Sequence, residues 1–137
     1  MSTDRLSRDV MTHLDTSFLI RALLAGSPED AALRRWLRRG DRLGISSVTW
    51  AEFLCGPREP NHDHFVRRVL GEPVAFTAED AACAAEFFRR SGRRRGTLAD
   101  CMIAAVAIRE GAALATANPS DFVRLRDSGL VLMDLAA

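Results

Sequence analysis

Residues 95–108 read Arg95-Gly96-Thr97-Leu98-Ala99-Asp100-Cys101-Met102-Ile103-Ala104-Ala105-Val106-Ala107-Ile108. The pattern is a helix apolar on nearly every face, carrying one carboxylate, Asp100, near its start. A helix hydrophobic all round is a buried helix, and an ionised carboxylate held away from water is costly unless a cation or hydrogen-bond donors compensate it. A central layer covered by such a helix decides the fold class, and its lone acid points to a site.

Working outward, the chain alternates strand and helix patterns. Before the central helix come a strand candidate at 11–15, a helix at 18–24 closed by Gly26, and a second helix from Ser27-Pro28-Glu29-Asp30 to Gly40 with Leu33, Trp36 and Leu37 inward. A strand at 43–48 and a short helix at 49–55 follow. Residues 58–64 read as a loop, 65–70 as a short helix, 73–76 as a brief strand, and 77–90 as a helix. After Gly111 come a strand at 112–116, a turn at 118–120, a short helix at 121–126 and a last strand at 130–134. Strands alternating with helices predict an α/β fold, a parallel sheet with helices on both faces. In such sheets ligands bind beyond the carboxyl ends of the strands, near the point where the strand order reverses.

With 137 residues and 47% hydrophobic content, the chain suits one domain over residues 11–137; residues 1–10 are polar and patternless, as expected of a loose arm. Net charge is +1, so any affinity for phosphate has to come from local arginine clusters. All 19 basic residues are arginine. The absence of lysine excludes a P-loop nucleotide site and Schiff-base chemistry, and it leaves a phosphoacceptor or phosphatase on a similar sheet without its customary lysine. Cys55, Cys83 and Cys101 lack metal-binding spacing and read as small core residues. No secretory pattern and no apolar run of membrane-spanning length occurs, which gives the expectation of a reducing, cytoplasmic setting without membrane attachment.

Four acids fall at strand-to-helix corners. Asp15 ends the first strand, Glu52 follows the second, Asp121 follows the strand at 112–116, and Asp100 opens the central helix. Taken singly, each is accounted for by helix capping: Asp15 as an N-cap, Asp100 in a capping box with Thr97. Capping fits less well for Glu52, which shares a helical stripe with Val48 and Cys55, and for Asp100 before an otherwise uncharged helix. Asp15, Glu52 and Asp121 belong to one rim of the sheet, and Asp100 joins them only if its helix begins there. Converging carboxylates repel unless a cation sits among them, and oxygen-only ligands suit Mg²⁺ or Mn²⁺. Phosphodiester hydrolysis is the chemistry such ions support.

Four motifs in order then carry a resemblance: Leu14-Asp15-Thr16-Ser17, Ala51-Glu52-Phe53-Leu54-Cys55-Gly56, Leu98-Ala99-Asp100-Cys101-Met102-Ile103-Ala104-Ala105 and Thr116-Ala117-Asn118-Pro119-Ser120-Asp121-Phe122. From about residue 11 onward the chain resembles a PIN-domain ribonuclease of the VapC toxin type. The resemblance implies Mg²⁺ or Mn²⁺ held by Asp15, Glu52, Asp100 and Asp121, cleavage of single-stranded RNA, a homodimer, and a cognate VapB-like antitoxin. Within it, Asp15 and Asp100 are the main ligands, while Glu52 and Asp121 ligate directly or through water. Thr116 matches the family's hydroxyl residue beside the metal, and Ser17 stands where asparagine is common. The alternative is a catalytically idle PIN-like domain that binds RNA or protein.

Other features carry less. Arg93, Arg94 and Arg95 between glycines are candidate RNA contacts, and Arg34, Arg35, Arg38 and Arg39 a solvated helix face. His62-Asp63-His64 reads as plain surface and His13 as a packed strand residue. Trp36, Trp50, Phe53, Phe87 and Phe88 read as core or interface.

Overall fold

The computed structural model describes residues 11–92 and 98–137. Strand β1 (Met11–Leu14) leads into helices α1 (Thr16–Ala22) and α2 (Pro28–Arg39), then β2 (Arg42–Gly44), α3 (Ser47–Cys55), α4 (Pro60–Leu70), α5 (Ala78–Arg90) and α6 (Leu98–Arg109). Strand β3 (Ala113–Ala115), two 3₁₀ turns (Pro119–Asp121 and Val123–Ser128) and β4 (Val131–Leu132) complete the described chain. The sheet order is β2-β1-β3-β4 and every pairing is parallel. From β1 the chain moves outward to β2, then returns to lay β3 on the other side of β1. The order therefore reverses between β1 and β3, and the carboxyl ends of those two strands bound the crevice where such sheets bind ligands.

Strand side chains alternate between faces, and the two cores follow that alternation. Leu14 and Ala115 point to one face, where Phe18 and Leu19 of α1, Leu33 and Trp36 of α2, and Phe53 of α3 cover them. There the Phe18 and Trp36 rings stack with centroids 5.4 Å apart. Leu114 points to the other face, against α6, Ala84 of α5, Phe122 and Leu125.

Helix α6 is buried, as its sequence predicts: Cys101 and the whole run Ile103–Ala107 are inaccessible. Its alanines let α5 and the sheet approach closely. Gly111, at φ 64°, adopts the left-handed conformation that turns α6 into β3. At the other end of the α5–α6 hairpin's length, Asp80 in the first turn of α5 holds Arg109 in the last turn of α6, with Nε–Oδ1 2.9 Å and Nη2–Oδ2 3.0 Å. With those two ends joined the helices run antiparallel, and Ser91 and Asp100 come together at the opposite end.

Several local expectations change. Residues 73–76 form no strand; Val74 makes a single parallel bridge with Ser46. Pro73 offers no N–H, and the Thr77–Asp80 capping box starts α5 at once. Helix α4 begins at Pro60, inside the segment read as a loop, because proline suits the first helical position and Val66 and Leu70 give the helix a buried face. Leu37 is 37% exposed, and Cys55 and Cys83 are exposed, so only Cys101 is a core cysteine. Of the arginine face on α2, Arg35 reaches back to the Leu135 carbonyl. His13 is fully packed, against Gly44. Residues 1–10 lie outside the described residues. Among those described, no helix is long and apolar enough to cross a membrane.

Candidate active site

Asp15 is placed by two elements at once. Its N–H continues the β1–β3 ladder by donating to the Ala115 carbonyl at 3.0 Å, and its carboxylate caps α1 by accepting from the Phe18 N–H at 2.8 Å. The side chain is nearly inaccessible. The Thr116 hydroxyl donates to Oδ2 at 2.6 Å, and the Ser17 hydroxyl lies 2.9 Å from Oδ1 and 3.1 Å from Oδ2. Burial raises the Asp15 pKa; the Thr116, Phe18 and Ser17 donors oppose that rise, and Glu52 adds to it by repulsion. The same hydroxyls fix the rim: Thr116 Oγ1 accepts from the Asn118 N–H at 3.0 Å, and Ser17 Oγ from the Ala117 N–H at 3.2 Å.

Glu52 stands on α3, exposed to solvent, and accepts a hydrogen bond from the Thr16 hydroxyl at 2.5 Å. The apolar stripe read for Glu52, Val48 and Cys55 is displaced by one residue. Thr49 and Phe53 form the buried face of α3, while Glu52 and Cys55 face water. A solvated carboxylate at a crevice mouth needs no compensating charge for the fold, which leaves it available to a ligand.

Asp100 lies in the first turn of α6 and is half-buried. Its pKa is pushed up to about 7, first by burial and then by repulsion from Asp121, Asp15 and Glu52. The positive end of a helix favours a charged carboxylate, so burial and three like charges outweigh that effect here. Asp121 closes the 3₁₀ turn Pro119–Asp121 and is exposed. It faces Asp100 across a narrow cleft also lined by Ser91, Cys101, Arg124 and Leu125. Thr97 of the capping box and the candidate contacts Arg93, Arg94 and Arg95 lie outside the described residues.

The four acids thus influence one another electrostatically at a single rim of the sheet. The donors are carboxylates and hydroxyls, as a hard divalent cation requires. Among the described residues no arginine forms an ion pair with Asp15, Glu52, Asp100 or Asp121, although other acids of the chain take arginine partners. The repulsion at Asp100 is the kind a cation would cancel. Yet among the described residues no three His, Cys, Asp or Glu side chains converge closely enough to hold an ion. Ligation by all four would therefore require Glu52 and Asp121 to swing inward or to act through water.

Two neighbours escape a reading of the sequence by acids alone. Thr16, next to Asp15, orients Glu52, and Arg124 lines the cleft three residues beyond Asp121. Asp121 ends one 3₁₀ turn and Arg124 lies in the first turn of the next, so no single helical period in the sequence places them together.

A parallel α/β sheet with carboxylates gathered where its strand order reverses defines the class of protein. The profile of the PIN domain family matches residues 13–127, and the chain belongs to that family. Solved structures share its fold. A chain of DNA-bound VapBC from Salmonella typhimurium is 24% identical with a TM-score of 0.72, over 92% of this chain and 98% of that one. A chain of VapBC2 from Rickettsia felis, bound to a DNA fragment from their promoter, is 22% identical with a TM-score of 0.71, over 90% and 98%. A chain of VapBC-1 from nontypeable Haemophilus influenzae is 21% identical with a TM-score of 0.70, over 93% and 100%. Comparison with curated proteins gives no match.

Proposed function

We propose that this chain is a VapC-type toxin: a Mg²⁺- or Mn²⁺-dependent endoribonuclease that hydrolyses phosphodiester bonds of single-stranded RNA and is neutralised by a VapB-like antitoxin. The observation that carries this reading is the placement of Asp15, Glu52, Asp100 and Asp121 at the β1–β3 crevice, close enough that burial and repulsion from the other three together raise the Asp100 carboxyl. The likeness of fold to chains of VapBC assemblies supports the toxin assignment.

In this reading Asp15 and Asp100 hold the ion, with Glu52 and Asp121 ligating directly or through water. The bound ion would polarise a phosphate oxygen, activate water and stabilise the leaving oxygen. The chain's own contribution is orientation. Three donors fix the Asp15 carboxylate in one rotamer and favour its ionised form against burial. Thr16 aims Glu52, and Arg124 brings a guanidinium to the edge of the cleft, where a phosphate would enter. Assembly as a homodimer in the cytoplasm belongs to the same proposal.

The test is inducible expression of the chain, alone and together with any small antitoxin-like gene encoded immediately upstream of it, followed by mapping of RNA ends. Growth arrest with discrete new RNA ends, relieved by the neighbour, is the expected result. Unchanged growth and unchanged RNA would overturn the reading.

A further inference from the structure

Beside the acidic cleft lies a second cavity, of about 250 Å³, between the end of α5 and the 3₁₀ turn Val123–Ser128. At roughly 30 Å³ per water it has space for about eight waters, enough for one planar ring system. The two depressions adjoin, with Ser91, Arg124 and Leu125 lining both. The cavity wall is mixed. Phe87 and Leu125 supply aromatic and aliphatic surface, Arg90 and Arg124 supply guanidinium planes, and Asp127 and Ser128 supply polar groups. Arg124 is tied to the end of α5 through a hydrogen bond from Nη1 to the Ser91 carbonyl at 3.3 Å, so its guanidinium stands on the ridge between the two depressions.

We propose that this cavity is a nucleobase subsite that takes the base next to the scissile phosphate and favours guanine, with Arg124 as a positioning residue. The proposal rests on the endoribonuclease reading, because the acidic cleft then fixes where the phosphate lies. A strand whose phosphate sits at Asp100 and Asp121 has to place an adjoining base to one side, and proteins read single-stranded RNA by stacking splayed bases on aromatic rings or arginine planes and hydrogen-bonding their edges. The carboxylate of Asp127 selects among the bases. Guanine presents a ring N–H and an amino group side by side, a two-pronged donor that matches one carboxylate in the way a guanidinium does. Uracil presents a single ring N–H flanked by carbonyl oxygens, which the carboxylate repels.

The test titrates guanosine and uridine 5′-monophosphates into the isotope-labelled full chain and follows backbone amides by NMR, alongside mapping of cut ends in a randomised single-stranded RNA pool. Guanosine monophosphate is expected to shift Leu125 and Ser128 and to bind about tenfold more tightly than the uridine form, the worth of one charge-assisted hydrogen bond. Asp127 is exposed, so Asp127→Asn should fold normally and abolish that ratio, whereas Arg124→Gln should weaken both nucleotides together. Equal affinities, shifts confined to other regions, no shift at millimolar nucleotide, or a ratio unmoved by Asp127→Asn would each overturn the subsite. The two readings fail separately. RNA cleaved without guanine preference beside the cut leaves the nuclease standing and removes the subsite; selective guanine binding without RNA cleavage does the reverse.

Discussion

The Thr116 hydroxyl donates to Asp15 Oδ2 at 2.6 Å, joining the carboxyl ends of β3 and β1 across 101 positions of sequence. This bond sits where the strand order of the sheet reverses, and it opposes the effect of burial on the Asp15 carboxyl. Thr116→Val keeps the shape and removes the donor. A buried polar group deprived of one partner costs about 1–3 kcal/mol. We expect RNA cleavage at neutral pH to fall about tenfold, with the acid limb of the pH–rate profile displaced upward because the Asp15 pKa rises further. Thr116→Ser should retain most activity. A pH–rate profile for both variants checks this.

Glu52 separates function from folding. It is exposed and bonded only to the Thr16 hydroxyl among the described residues. Surface substitutions of this kind usually change stability by no more than about 0.5 kcal/mol, so Glu52→Gln should leave the urea midpoint unchanged while raising the Mg²⁺ concentration needed for half-maximal cleavage. Thr16→Val should act in the same direction and more weakly. Metal titrations of the cleavage rate measure both.

Asp100 makes the stability of the metal-free protein depend on pH. Its folded pKa of about 7 stands above the ordinary 3.8, so between those values the folded state keeps a proton that the unfolded chain has released. The stabilisation is full below the ordinary value and is lost as pH rises toward 7. The urea midpoint should therefore fall from pH 5 to pH 8 in EDTA. It should fall less with Mg²⁺ present, and less in Asp100→Asn. Denaturation curves under these conditions decide it.

Asp80 gives the opposite sign. Burial acts to raise its carboxyl, but hydrogen bonds from Arg109, the Thr77 N–H and the Thr77 side chain prevail, and its pKa is lowered. The stability it supplies is present above the ordinary carboxylate value and is lost as the pH falls through the lowered one. Arg109→Ala leaves that buried acid, which also caps α5, without its clamp. Because Arg109 is itself about one-third exposed, a loss of about 2 kcal/mol at pH 7 is expected, below the range for a fully buried pair, with a shallower decline in acid than in the unsubstituted chain, because Asp80 is then no longer held below its ordinary pKa. Thermal melts at pH 7 and pH 4 measure it.

The positions of Asp15, Glu52, Asp100 and Asp121 at strand-to-helix corners are legible in the sequence because local patterning marks where strands end. That Asp100 starts on the same rim is not, since it depends on how α6 packs against α5 and the sheet, with Asp80 and Arg109 joined at the far end. The exposure of Glu52 is likewise hidden: on a nine-residue helix, rotating the buried face by one position to Thr49 and Phe53 reverses the reading. Short strands are the least legible elements. Val74 has the composition of a strand residue, yet a single bridge is all that Pro73 and the helix start at Thr77 allow. The cavity above Leu125 is formed by residues from 87 to 128, and no local pattern announces it.

The most direct measurement is cleavage of a single-stranded RNA by the purified chain in Mg²⁺, in EDTA, and with Asp15→Asn or Asp100→Asn in Mg²⁺. The account expects cleavage in Mg²⁺, none in EDTA, restoration on adding Mn²⁺ or Mg²⁺ back, and losses of at least about a hundredfold in both variants, since each removes a carboxylate assigned to the ion. Full cleavage in EDTA, or undiminished Mg²⁺-dependent cleavage by Asp100→Asn, would contradict the claim that these carboxylates form one metal-dependent site.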